Sequence, residues 1–184
     1  DGDLATRAQL NDPTGVAVDP AGRLLVADFG NNRVRRVDPA SGTISTIAGN
    51  GQPGAGGDGG PATAASLFGP YAVCEGEGGD LFVGDFFNNR VRRIGATSGT
   101  ITTVAGGAEP GFSGDGGPAA LALLDRPSGV ASGPEGSLLV VDTFNQRVRR
   151  ISPAGTITTA VGSGSIGFVG DGGPAIAAGL KIPA

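Results

Sequence analysis

Aspartate is the residue type whose repetition most suggests chemistry in this 184-residue chain. One set recurs every 57 residues, and each member follows an apolar run and precedes a polar turn. A ring of carboxylates on one face could bind a cation, because hard cations take oxygen ligands. The alternative is structural, since aspartate commonly accepts hydrogen bonds within its own turn. We favour the structural role, in which each aspartate pairs with the arginine that follows: Asp28 with Arg33, Asp85 with Arg90, and Asp142 with Arg147.

A second set of aspartates, Asp58, Asp115 and Asp171, lies in glycine-rich connectors that share the motif Gly-Asp-Gly-Gly-Pro-Ala. A phosphate loop would need a helix start and usually a lysine, and no lysine stands within or directly after these motifs. A calcium loop would need several oxygens in close succession, whereas each copy offers one carboxylate. We therefore predict no cofactor, with calcium as the minor alternative.

Phenylalanines gather in the turns and connectors. Four lie in the turns after the first set of aspartates, and two lie in the connectors: Phe29, Phe86, Phe87, Phe144, Phe112 and Phe168. Aromatic side chains on the exposed loops of a rigid scaffold are candidate contacts for a binding partner. Alternatively, the connector phenylalanines fold over those of the turns and cover the ends of the strands. The residues alone do not separate these two interpretations.

Composition argues against several classes of function. The net charge of −4 argues against nucleic acid as a partner, because phosphate binding needs a positive surface. The chain has no histidine and one cysteine, Cys74, so it lacks the commonest acid–base group and any intrachain disulfide or thiolate metal site. No apolar run reaches the length of a membrane span. Because methionine is absent, we expect a processed product or a part of a longer protein.

The elements that must position these residues are short strands. Each copy contains four apolar or alternating runs joined by glycine- and proline-rich turns, at 15–18, 24–26, 33–37 and 43–47 in the first copy. Four antiparallel strands make one blade. Near-identical copies at a fixed spacing therefore predict an all-β β-propeller rather than a β-sandwich. The predicted units are blade 1 (1–57), blade 2 (58–114), blade 3 (115–170) and a lead-in to a further blade (171–184), with a single helical turn after each connector proline.

Positions on the first strand would line the axis of such a propeller. Glu75 could be a lone ligand there with Tyr71 beside it, although a solvated strand end is the more ordinary interpretation. Cys74 stands where the other copies have alanine, which predicts a small core residue. The arginine pairs, such as Arg35 and Arg36, are expected to pack their stems against the blades and keep their charged heads in water.

Three blocks carry a family resemblance: PTGVAVD at 13–19, LVAD at 25–28 and NNRVRR at 31–36. They resemble the NHL repeat, and the long connectors resemble those of bacterial extracellular proteins. The resemblance implies a six-bladed propeller that is extracellular, on the cell surface or periplasmic. It also implies a non-catalytic scaffold for protein–protein interaction. The alternatives are a metal-dependent propeller enzyme, such as a lactonase-like hydrolase or a lyase, and the sensor domain of a membrane receptor or kinase.

Three blades form an arc whose edges stay open, and open edges invite pairing. We expect these edges to meet further blades of the same propeller. The alternative is a dimer of two half-propellers. In either case the segment is expected to self-associate when isolated, to bind no nucleic acid and to insert into no membrane.

Overall fold

The computed structural model describes residues 1–184 as three four-stranded antiparallel sheets. In each sheet the strands follow one another in chain order, so each sheet is a meander with its first strand at one edge. The strands are β1 (Pro13–Val18), β2 (Leu24–Asp28), β3 (Arg33–Val37), β4 (Ile44–Ala48), β5 (Pro70–Glu75), β6 (Leu81–Asp85), β7 (Arg90–Ile94), β8 (Ile101–Gly106), β9 (Pro127–Ser132), β10 (Leu138–Asp142), β11 (Arg147–Ile151) and β12 (Ile157–Val161). The predicted all-β fold with three blades is confirmed.

All the helices are 3₁₀ turns of three residues, and none is long enough to cross a membrane. They are Ala5–Arg7, Phe29–Asn31, Ala62–Ala64, Glu77–Gly79, Phe86–Asn88, Ala119–Leu121, Pro134–Gly136, Thr143–Asn145 and Ala175–Ala177. Three of them follow the connector prolines, as expected, because proline fixes the backbone angle that starts such a turn.

The blades fan around an axis that is lined by their first strands. Strand β1 lies beside β5, and β5 lies beside β9. The hydroxyl of Thr14 donates to the carbonyl of Tyr71 at 2.7 Å, which joins the first two blades directly. Gly15 permits this approach, since a Cβ atom there would lie 2.6 Å from the same carbonyl oxygen. The first strands therefore form the inner wall of the arc.

The hydrophobic core lies between the blades rather than within any one of them. One cluster joins blade 1 to blade 2 and includes Leu25, Leu67 and Val83, each fully buried. A second cluster joins blade 2 to blade 3 and includes Leu124 and Val140. Each blade thus buries a face against its neighbour that it could not bury alone, as expected for a repeat architecture.

The two connectors that lie between blades pair with the outer strand of the following blade. Between blades 1 and 2, Gly59 donates to the carbonyl of Ile101 at 2.8 Å, and Ile101 donates back to Gly60 at 3.0 Å. The same pair of bonds joins Gly116 and Gly117 to Ile157 in blade 3. In blade 1 the N-terminal segment takes this place. The outer edge of every blade is therefore covered by a short stretch of chain.

Candidate functional site

A buried arginine joins two aspartates in every blade, an arrangement we call the Asp–Arg–Asp link. In blade 2, Arg92 reaches Asp85 (Nη1 to Oδ2, 3.2 Å) and Asp58 of the preceding connector (Nη2 to Oδ1, 2.6 Å). The side chains of Arg92 and Asp85 are 0% exposed, whereas that of Asp58 is 41% exposed. The other links are Asp1–Arg35–Asp28 and Asp115–Arg149–Asp142.

These links correct two expectations. The aspartates were expected to pair with Arg33, Arg90 and Arg147, and this is wrong: each pairs with the arginine two positions further along. Arg33 instead donates to the carbonyls of Asn31 and Asn50. The expectation of solvated heads is also wrong for the arginines of the links, because two carboxylates compensate each buried guanidinium.

The turn aspartates have no oxygen left for a cation. One oxygen of Asp85 accepts from the backbone N–H of Phe68 at 2.8 Å, and the other accepts from Asn88 at 2.8 Å and from Arg92. Both oxygens of Asp28 and of Asp142 are also occupied, by a backbone N–H, an asparagine amide and an arginine. The geometry therefore supports the structural role of these three residues.

The two ends of a link differ in electrostatics. Burial raises the pKa of Asp85 and of Asp142, although the hydrogen bonds and the arginine charge oppose that effect. Burial also acts on Asp58 and Asp115, but hydrogen bonds from a threonine and the arginine outweigh it, so their pKa values are lowered. In blades 2 and 3 the connector aspartate is thus the end of the link at which the ionised form is favoured.

Nothing in the chain resembles a metal centre. No group of three or more aspartate, glutamate, cysteine or histidine side chains comes together. Asp58 and Asp115 are engaged in the links, and Asp171 is exposed.

An aromatic patch covers the loop face, which is the end of the blades that carries the turns between second and third strands. Phe86 stacks on Tyr71 with ring centroids 5.2 Å apart, and Phe87 lies 4.7 Å from Phe68. Phe29 of blade 1 packs edge-on against Tyr71 at 5.8 Å. We define the aromatic patch as Phe29, Phe68, Tyr71, Phe86, Phe87 and Phe144, with Arg126.

Arg126 connects the patch to blade 3. Its guanidinium carbon lies 4.6 Å from the ring centre of Phe144 and 5.9 Å from those of Phe86 and Phe87. Its backbone has a φ of 52°, which is unusual for arginine, and the side-chain oxygen of Asn89 accepts from its N–H at 3.0 Å. The side chain forms no salt bridge within the chain, so a cation faces solvent among aromatic rings.

The aromatic patch bears on whether the loop phenylalanines are exposed contacts or cover one another. The side chains of Phe87 and Phe144 are 39% and 46% exposed, which leaves contact area on the loop face. Phe112 covers no turn phenylalanine. It lies over the guanidinium of Arg147, 3.7 Å from its ring centre, while Phe168 is 90% exposed. Connector phenylalanines therefore do not cap the aromatic patch.

Sequence reasoning missed several members of the patch. Tyr71 was placed beside Glu75 at the axis, and this is wrong, because it belongs to the loop face. One sequence feature could have identified Arg126. It precedes Pro127 at the position that Gly69 occupies in blade 2, and the positive φ of that position favours glycine.

Cys74 is a core residue, as predicted. It is 9% exposed and belongs to the cluster between blades 2 and 3. Burial raises the pKa of its thiol to about 11, against the smaller effect of a backbone hydrogen bond from Ser132. It is therefore protonated at neutral pH and a weak nucleophile. Glu75 lines both the axis and a groove between blades 1 and 2.

Solved structures of the same shape define the class. The chain matches an auxiliary nutrient binding protein from Bacteroides ovatus with a TM-score of 0.68 and 18% identity, over 96% of this chain and 43% of that one. It matches virginiamycin B lyase from Staphylococcus aureus with a TM-score of 0.54 and 17% identity, over 86% of this chain and 44% of that one. At such identities these matches establish the fold alone, which is that of a β-propeller.

One segment of the sequence matches a known repeat family. The family model of the NHL repeat matches residues 10–37, and the pattern of that segment recurs in blades 2 and 3. Residues 10–37 are therefore an NHL repeat, and the fold that contains them is a β-propeller. It is also 37% identical over 93 residues to Teneurin-1 of Mus musculus, which is 44% of this chain and 3% of that protein. The chain spans between 3% and 14% of the length of the curated relatives that it matches.

Proposed function

We propose that these blades form a non-catalytic interaction module that binds a protein partner through the aromatic patch on the loop face. The observation that carries the proposal is the patch itself: exposed aromatic rings packed on rigid turns, with an unpaired arginine among them. Tyrosine, phenylalanine and arginine are enriched in the cores of protein interfaces. NHL propeller domains also commonly mediate protein interaction.

Placement outside the cytoplasm is part of the proposal. It is supported by the likeness to Teneurin-1 and to a nutrient binding protein. The sensor domain of a larger membrane receptor remains a version of the same proposal, because a sensor also binds through an exposed face.

Catalysis is the second candidate, since a solved structure of similar shape is a lyase. The residues of these three blades give it less support. They lack histidine and bring together no cluster of metal ligands, and the thiol of Cys74 is buried. We therefore favour binding as the role of this segment.

The test is a comparison of matched variants in a pull-down from cell-surface and secreted protein, followed by direct binding of the captured, purified partner. Phe87→Ala and Phe144→Ala should each weaken the measured affinity by about tenfold or more, as for central aromatic anchors. Phe168→Ala is the control, because Phe168 is more exposed but lies outside the patch. The proposal fails if the partner binds the patch variants and the native chain equally well.

A further inference from the structure

A groove lies between blades 1 and 2, away from the loop face, near the turns that join first to second strands. Its volume is about 510 Å³, and its apolar floor is formed by Ile47, Leu81 and Ile94 together with Leu25, which its neighbours cover fully. A volume of this size is typical of small-molecule sites.

The junction between blades 2 and 3 has an equivalent groove of about 360 Å³. Phe82 of blade 2 stands there at the position that Leu25 occupies in blade 1, and both face an arginine across the sheet. The ring of Phe82 packs so closely on Gly76 that a Cβ atom on that glycine would lie 2.5 Å from it. The groove between blades 1 and 2 is thus the larger one, and it has the smaller side chain, Leu25, at this position.

The groove between blades 1 and 2 also contains an unpaired cation. In blade 2, Arg93 is neutralised by Asp80, with Nε 2.6 Å from Oδ2. The corresponding arginine of blade 1 is Arg36, but the position of Asp80 is occupied there by Arg23. Arg23 pairs with Asp19 of its own turn. The side chain of Arg36 is left half-buried and makes no salt bridge or hydrogen bond within the chain.

A carboxylate lines the same groove without neutralising Arg36. Glu75, the last residue of β5, forms no salt bridge, and its Oε1 would lie 3.8 Å from a Cβ atom on Gly79, which also lines the groove. The hydroxyls of Thr63 and Ser98 belong to the lining as well. A ligand could therefore meet a cation at one point, an acceptor at another and an apolar floor between them.

We propose that this groove binds a small organic carboxylate with an apolar body and a second group that donates hydrogen bonds. The carboxylate would pair with Arg36, the body would lie on the leucine and isoleucine floor, and the donor would face Glu75. Either a hydroxyl or an ammonium group satisfies this chemistry. The proposal does not depend on the protein partner proposed above, because the groove and the aromatic patch share no residue.

Four probes with similar carbon skeletons test it by NMR, in titrations that follow the amide and arginine Nε–H signals. 6-Aminohexanoate and 6-hydroxyhexanoate carry the two groups at opposite ends of an apolar chain, hexanoate lacks the donor, and hexan-1-ol lacks the carboxylate. We expect saturable shifts at the groove for at least one of the first two, with a dissociation constant on the order of 1 mM for so small a ligand. The better of these two identifies the donor.

Three substitutions test the location of the site, and two of them introduce the residue that blade 2 has at the equivalent position. Arg36→Met should weaken binding about 10- to 100-fold, as expected for loss of a charged hydrogen-bonding partner. Arg23→Asp should weaken it comparably by giving Arg36 the carboxylate that Arg93 has. Leu25→Phe should abolish binding by filling the groove as Phe82 does. Arg93→Met is the control and should leave the affinity unchanged.

The proposal is overturned if no carboxylate gives saturable shifts at concentrations of about 50 mM. It is equally overturned if the alcohol binds as tightly as the carboxylates, or if Arg36→Met binds like the native chain. Because Arg23→Asp and Leu25→Phe introduce residues that a neighbouring blade already accommodates, a folded variant should be available for the comparison.

Discussion

Replacement of Asp85 by asparagine tests the Asp–Arg–Asp link most sharply. Asparagine is nearly the same size, and its carbonyl can still accept from the backbone N–H of Phe68. Its amide group, however, would face two donors, those of Asn88 and Arg92, which now bond the carboxylate at 2.8 and 3.2 Å. The guanidinium of Arg92 would keep Asp58 as its only carboxylate, together with the backbone carbonyl of Ser66 at 3.4 Å.

The expected loss in the free energy of unfolding follows from the burial of Asp85 and Arg92. Removing one partner of a buried ion pair costs about 3–5 kcal/mol, because the remaining charge is left uncompensated. Burial raises the pKa of Asp85, so desolvation already offsets part of its attraction for Arg92. The loss should therefore come chiefly from the orphaned donors. A stable domain has about 5–15 kcal/mol in total, so the variant should remain folded but be much less stable.

The assay is urea unfolding followed by far-UV circular dichroism and linear extrapolation. The matched control is Asp58→Asn at the other end of the link. That side chain is 41% exposed, and Arg92 would keep its buried partner, so a loss of about 0–1 kcal/mol is expected. Equal losses for the two variants, or a larger loss for Asp58→Asn, would refute the reasoning.

Four further predictions concern stability and association. Leu67→Ala should cost about 2–5 kcal/mol in chemical unfolding because Leu67 is fully buried, whereas Leu10→Ala, at the equivalent but 40% exposed position of blade 1, should cost less than about 1 kcal/mol. Gly106→Ala should lower the melting temperature more than Gly116→Ala: both glycines have positive φ, but only at Gly106 would a Cβ atom meet a carbonyl oxygen, at 2.1 Å. The pKa of Asp58 is lowered in the folded state, so its ionised form stabilises the fold above the unfolded pKa of about 4. This contribution disappears as the pH falls through the folded pKa. The free energy of unfolding of Asp58→Asn should therefore fall less steeply than that of the native chain in acid titrations. The isolated segment should self-associate through the faces of blades 1 and 3 that no neighbouring blade covers, and a concentration-independent monomer in light scattering would contradict this.

Repeat spacing and strand patterns were sufficient to predict the blades and the buried Cys74. The arginine that pairs with each turn aspartate was not predictable from one blade. Arg90 stands directly opposite Asp85 in the sheet, which makes it the natural local choice. The choice is decided by the connector, which docks on the following blade and brings a second aspartate to Arg92 from 34 residues away.

The sites depend on packing that a repeat alignment does not reveal. Comparison of the copies shows leucine at 25 where blade 2 has Phe82, and arginine at 23 where it has Asp80. It does not show that these differences border one groove, because that depends on how adjacent blades pack. The aromatic patch is a similar case, since Tyr71 and Arg126 approach the turn phenylalanines only when the blades lie side by side.

The central claim is that each connector docks on the outer strand of the following blade and carries an aspartate to its buried arginine. Nuclear Overhauser contacts test it directly. The structure predicts contacts from the amides of Gly59 and Gly60 to Ile101 in blade 2. Contacts from the same glycines to Ile44, the equivalent residue of blade 1, with none to Ile101, would contradict the account.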